Sequence, residues 1–199
     1  MQLRGALVGS NRTADEDQIA RWHTEQAQFQ FNRIARAEVP ADGRSLLEHA
    51  RLFALLNIAL ADATLSVFEA KYAYAFWRPV TAIRNADIDG NPDTFVDPAW
   101  APFLATPPHP EYPAAHGVVQ GAAARVMKAY FGPNYAFSTT APPVPNVERR
   151  YADFDSYADE GRLARILSGM HFRSSLEEGG RQGTLVGNWV LNHYLLPLR

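Results

Sequence analysis

The sequence predicts an all-α fold, a helical bundle, on three observations. Capping-box spacing, in which two side chains bond each other's free backbone N–H, occurs at Thr13/Glu16, Ser45/Glu48 and Ser175/Glu178. Apolar residues recur with a helical period, most clearly at Leu52, Leu56, Ala59, Leu60, Ala63 and Val67. No segment carries a sustained period-2 run, and there is no internal repeat. At 199 residues the chain is expected to form one domain over 1–199, burying about 70% of its unfolded surface.

Taken in order, the first helix opens at Thr13/Glu16 and is expected to run to about Arg36, with Ile19, Trp22 and Phe29 among its apolar members. A longer helix starts at Ser45/Glu48 and reaches about Trp77, where Pro79 forces a boundary or kink. Seven prolines between Pro92 and Pro113, with the turn signal Asp89-Gly90, predict a long ordered loop anchored by Phe95, Trp100, Phe103 and Tyr112. A third helix spans about Pro113 to Tyr130, with Val119, Ala122, Ala123, Val126 and Tyr130 on one face. Residues 132–150 read as loop. The fourth helix covers about Ser156 to Leu167, and the fifth about Ser175 to Tyr194. Gly180, Gly183 and Gly187 share a face of the fifth, which predicts close helix packing.

Composition excludes several classes. Nineteen Lys+Arg against 21 Asp+Glu give a net charge of −2, which argues against a nucleic-acid or membrane-surface protein acting through bulk charge. There are no cysteines, hence no disulfide, thiolate metal site or cysteine nucleophile. The best candidate for a membrane span, Leu52 to Phe68, carries Asn57, Asp62, Thr64 and Ser66 and reads as a buried helix. Met1-Gln2-Leu3-Arg4-Gly5 lacks the apolar core of a signal peptide, so the chain as given reads as soluble. No partner nucleic acid or membrane span is expected.

Of the six histidines, His23, His49, His109 and His193 individually read as surface or satisfied core residues. His116 lies in Pro113-Ala114-Ala115-His116-Gly117 at a helix start, where free N–H groups and the helix dipole favour anions. An imidazole there can serve as acid or base on a bound oxyanion. Lys71 and Arg78, seven apart, would share one helix face and point at one spot. His171 follows Arg165 by six residues across Gly169. No histidine has local metal-ligand spacing, and no carboxylate sits beside His116 or His171 in the sequence.

Together, Lys71-x6-Arg78-Pro79, Pro113-x-x-His116 and Arg165-x5-His171 form a three-part signature. It resembles the superfamily of vanadium-dependent haloperoxidases, bacterial nonspecific acid phosphatases and type-2 phosphatidic acid phosphatases. The neighbourhoods Ala75-Phe76-Trp77-Arg78-Pro79-Val80-Thr81-Ala82-Ile83-Arg84, Pro108-His109-Pro110-Glu111-Tyr112-Pro113 and Ser168-Gly169-Met170-His171-Phe172-Arg173 are most similar to the bacterial soluble haloperoxidase-like branch. So is Arg12-Thr13 leading into Ile19-Ala20-Arg21-Trp22, and the likeness covers about residues 11–192.

The resemblance implies a vanadate cofactor, with phosphate able to take the same site because both are tetrahedral oxyanions. Lys71, Arg78 and Arg165 would neutralise its charge, and Ala115 would lie among the groups facing it. His171 would be the axial vanadium ligand, or the nucleophile of a phosphatase, and His116 the acid/base. The implied reaction is oxidation of halide by hydrogen peroxide at vanadate acting as a Lewis acid, followed by halogenation of a small organic acceptor. His109, seven residues before His116, resembles the histidine of bromoperoxidases and points to bromide or iodide.

The pattern departs from the superfamily in places. Ala114 and Ala115 replace its usual serine and glycine, which predicts a lost hydroxyl contact to the oxyanion and a backbone held further from it by the added methyl. Ala164 replaces a serine. Ser175 stands where many members carry an aspartate that orients the histidine, with Glu177 or Glu178 as substitutes. Two alternatives therefore stay open, an acid phosphatase working through a phosphohistidine and an oxyanion-binding protein with a weakened site. Members of the family are about twice as long, so the chain resembles their core bundle alone. A homodimer would cover the apolar face around residues 46–68.

Overall fold

The computed structural model describes residues 2–196; Met1 and 197–199, the extremes of the expected 1–199 domain, lie outside the described residues. The elements are α1 (Ala14–Trp22), α2 (Ala27–Glu38), α3 (Leu46–Tyr74), α4 (Pro79–Arg84), α5 (Ala115–Phe131), β1 (Phe137–Ala141), β2 (Val144–Tyr151), α6 (Phe154–Leu167) and α7 (Arg173–His193).

Thr13/Glu16 and Ser45/Glu48 form reciprocal capping boxes at α1 and α3. Ser175/Glu178 does not. Helix α7 starts earlier, after Phe172, with no side-chain cap, because Ser175 is buried beside Glu111 while Glu178 pairs with Arg181. A capping box between Asp153 and Ser156, which the sequence reading passed over, opens α6.

The first expected helix is two helices. The ring of buried His23 reaches Glu160, Nε2 to Oε1 3.2 Å, and Thr24 Oγ1 donates to the Arg21 carbonyl, so the chain turns at 23–26 and restarts. The restart shifts the helical phase, leaving Phe29 exposed while Phe31 and Ile34 enter the core. Helix α3 stops at Tyr74, where Ala75 adopts a left-handed φ of 49°, and Arg78 precedes α4 instead of ending α3. In the proline-rich loop Trp100 is an anchor, buried with Nε1 donating to the Gln2 carbonyl, but Phe95 is exposed and anchors nothing.

The fold is mostly helical but not purely α. Residues expected to be loop pair as an antiparallel hairpin, from Phe137 opposite Tyr151 to Thr140 opposite Glu148, with an irregularity before Ala141 and Val144. Prolines at 142, 143 and 145 hide the alternation. Burial comes only at Phe137, Ala141 and Tyr151, where Phe137 stacks on Phe154 and Tyr151 meets Tyr157 edge-on.

The core forms where the apolar stripe predicted it. All six stripe residues of α3 are buried and share one cluster with Val118, Val119, Ala122, Ala123 and Val126 of α5. Helix α3 is long and apolar enough to cross a membrane, yet this inward stripe is core; its outer face exposes Leu46, Leu47 and Leu65. Helix α5 packs most extensively on α7. A Cβ on Gly183 would meet the Val118 carbonyl and, at 2.9 Å, the Ala122 amide; one on Gly187 would come within 2.9 Å of the Ala122 carbonyl. The helices thus meet backbone to backbone at Gly183 and Gly187, as the glycine spacing predicted, whereas a Cβ on Gly180 would meet the Arg162 side chain of α6 and Gly179 takes its place against α5.

Candidate functional site

The three sequence motifs converge at the N-terminal end of α5. Ala114 is the N-cap and Ala115 and His116 the first two helical residues, with no side chain capping the free amides of the first turn. The Arg78 guanidinium, held almost fully buried before α4, ties two other segments together. Its Nε donates to the His109 carbonyl (3.0 Å), its Nη1 to the Met170 carbonyl (3.0 Å) and to His171 Nε2 (3.1 Å), and its Nη2 to His109 Nδ1 (3.0 Å). Lys71 is fully buried on α3 and donates to the carbonyls of Pro110 (2.8 Å) and Glu111 (2.9 Å). Arg165, near the end of α6, contacts Met170 Sδ and keeps its Nε without a partner.

After α6 the chain must reverse to bring His171 back. Gly169 does this at φ +77°, where a Cβ would strike the Gly5 carbonyl and Pro102. Lys71 and Arg78 come together, but not by sharing a helix face, since Arg78 arrives through the turn after α3.

A cavity of about 320 Å³ lies at this junction. His109, Ala115, His116, Arg165 and His171 line one side; Val67, Phe68, Pro107 and Val119 line another, with Gln26, the N-cap residue of α2, and Gln28 in its first turn. Lys71 and Arg78 stand behind the wall and are not lining residues. Larger clefts elsewhere lack this set.

Lys71, Arg78 and Arg165 are buried cations, and Glu111, the one buried carboxylate among the described residues, acts on the first two. Burial, reinforced by Arg78, brings Lys71 down to about 7. Burial lowers Arg78 and Arg165 to about 10, and both stay charged near neutrality. Burial, then the charges of Arg78, Arg165 and Lys71, hold His171 well below the ordinary histidine range. Burial and Arg165 do the same for His116, opposed by the nearby carbonyls of Glu25 and His23. Both imidazoles are therefore neutral at pH 7, and His116 Nε2 is buried without a partner. An excess of buried positive charge with unpartnered donors calls for an anion.

A family model described as the VCPO (vanadium chloroperoxidase) second helical-bundle domain matches residues 51–198. The chain belongs to the vanadium haloperoxidase family. Vanadium chloroperoxidase of Curvularia inaequalis is 36% identical over 94 residues, 42% of this chain and 15% of that protein. The solved structure described as the first bacterial vanadium-dependent iodoperoxidase superposes with a TM-score of 0.80 at 30% identity, over 90% of this chain and 44% of that one. A holo-type bacterial vanadium-dependent chloroperoxidase shares the fold, with a TM-score of 0.69 at 17% identity over 92% of this chain and 44% of that one. The chain thus spans less than half the length of these relatives.

The residues present suit the family's oxyanion. Arginine forks and a helix N-terminus complement tetrahedral oxygens, and the unpartnered Arg165 Nε supplies a buried donor for them.

Two expectations need correction. Ala114 does not face the cavity: it is fully buried against Ile166 and Leu176, and Ala115 is the lining residue. A carboxylate does sit beside His171, because Glu111 Oε1 lies 2.7 Å from its Nδ1. Glu177 and Glu178 take no such role: Glu178 pairs with Arg181 and Glu177 borders surface clefts. Sequence reasoning missed Glu111, which lies 60 residues from the histidine it touches; its only signal was an acid amid the prolines of 107–113. His23, His49 and His193 serve elsewhere, on Glu160, Asp42 and Trp189 respectively.

Proposed function

We propose that this chain is a vanadium-dependent haloperoxidase unit that binds vanadate at the cavity and oxidises bromide or iodide with hydrogen peroxide. The observation that carries the reading is the convergence of Lys71, Arg78 and Arg165, buried with one carboxylate among them, around a neutral His171. Arg165, which lines the cavity, would bind the oxyanion, Arg78 and Lys71 would add charge from behind the wall, and the amides at Ala115 and His116 would complete the cradle. His171 would hold the metal through Nε2. Bound vanadate supplies a Lewis acid that activates hydrogen peroxide without itself changing redox state. His116, kept neutral by burial and with Nε2 unpartnered, would be in the form needed to accept a proton from hydrogen peroxide.

Phe68, Val67, Val119 and Pro107 offer the organic acceptor an apolar wall beside these groups. His109 stands at that wall, its ring edge-on to Phe68, as the halide-side residue. The iodoperoxidase among the similar structures agrees with a softer halide.

A second reading, a phosphatase with His171 as nucleophile, is favoured by one observation. Glu111 on Nδ1 supplies the carboxylate that such a nucleophile needs and that Ser175 cannot. The test is bromination of phenol red by hydrogen peroxide and bromide with and without orthovanadate, run beside phosphate-ester hydrolysis. Vanadate-dependent bromination supports the peroxidase, and hydrolysis alone overturns it. His171→Ala should abolish vanadate binding, whereas His116→Ala should retain binding and lose turnover.

A further inference from the structure

We infer that Glu111 is the positioning residue that fixes the tautomer and ring orientation of His171, from a place in the chain different from the one expected. Glu111 Oε1 lies 2.7 Å from His171 Nδ1, with both side chains almost wholly buried. The same oxygen accepts the Phe172 backbone N–H at 2.9 Å, so the carboxylate is clamped to the residue next to the histidine it orients. From the other side, Arg78 Nη1 lies 3.1 Å from Nε2. A guanidinium can only donate, so Nε2 presents a lone pair and the proton sits on Nδ1, donated to Glu111.

Tautomer and orientation are thus set from both sides, and the Nε2 lone pair, which here accepts from Arg78, is the one a metal or phosphorus would take in its place. Glu111 also accepts Lys71 Nζ on its backbone carbonyl at 2.9 Å. One loop residue therefore couples the lysine of the first motif to the histidine of the third. Ser175 Oγ is 3.5 Å from that carbonyl, so the helix position able to carry an aspartate lies next to the loop position that carries the glutamate. Carboxylate–imidazole pairs of this kind strengthen the ligand nitrogen, and losing the outer partner typically costs about 10–100-fold in affinity.

The inference rests on His171 being the oxyanion's partner, and its test separates the two. Nitrogen-15 NMR of histidine-labelled protein, without vanadate, should show His171 as the Nδ1–H tautomer; an Nε2–H tautomer overturns the inference without any variant. Glu111→Gln should weaken orthovanadate binding, read by calorimetry, by about 10–100-fold. Glu111→Gln with Ser175→Asp should recover most of that loss, which a merely structural defect would not. Unchanged affinity in Glu111→Gln overturns the positioning role while leaving the site reading intact if His171→Ala still abolishes binding. Unchanged affinity in His171→Ala overturns the site reading itself.

Discussion

At Lys71 burial competes directly with charge. An ammonium taken out of water beside two guanidinium groups is held near 7, so it is charged below that pH and neutral above it. His116 and His171 stay neutral across the same range. The affinity for sulfate, whose own charge is constant near neutrality, should therefore fall as pH rises through 7. Calorimetry at pH 6 and pH 8 would measure the change, and Lys71→Met should flatten the profile while weakening binding at the lower pH. A profile of equal steepness in the variant would assign the titration to another group. The sequence named Lys71, Arg78, His116, Arg165 and His171 because each belongs to a short motif. Glu111 escaped because its partner is distant in the chain and only folding brings the two together.

At the scale of elements, α5 carries the site on an uncapped N-terminus and depends on α7 for its placement. Ala114→Ser would give the helix a capping hydroxyl for the amide of Gly117. It should add about 1 kcal/mol of stability, a rise in Tm of roughly 2–4 °C for a chain this size. Because Ala114 faces Ile166 and Leu176, phosphate affinity should not change; tighter binding would place its side chain in the cavity. Gly183→Ala should cost about 3 kcal/mol, because the new methyl would press on backbone atoms at Val118 and Ala122 that have no room to yield. Denaturant unfolding measures it, and a loss below about 1 kcal/mol would mean that the two helices can separate. The glycine spacing was legible because backbone contact admits only glycine there. The break between α1 and α2 was not, since His23 leaves the helix pattern for a carboxylate on α6.

At the scale of the molecule, Glu160 joins the N-terminal helix, the hairpin and α6. Burial raises its pKa, but hydrogen bonds from His23, Arg149 and Tyr151 outweigh this and hold it at about 2 against an ordinary 4.5. A depressed folded-state pKa gives stability that is present above pH 4.5 and lost as pH falls towards 2. Acid unfolding should therefore be steep between those values, and Glu160→Gln should lower stability at pH 7 and remove part of that slope. An unaltered slope would show that other carboxylates govern acid unfolding. The turn held by His23 leads into Gln26 and the start of α2 with Gln28, both of which line the cavity, so this network belongs to the site's framework.

What the sequence determined by itself is what local rules and short motifs encode: the caps of α1 and α3, the apolar stripe of α3, the glycine contact face of α7 and the five charged or imidazole residues of the motifs. Each follows from residues within a few positions of one another. Tertiary structure alone decided the split of the first helix, the hairpin, the inward turn of Ala114 and the pairing of Glu111 with His171. In those cases the energy comes from burial and from partners far away in the chain, and burying a carboxylate or an imidazole is tolerable only where the fold supplies its opposite number.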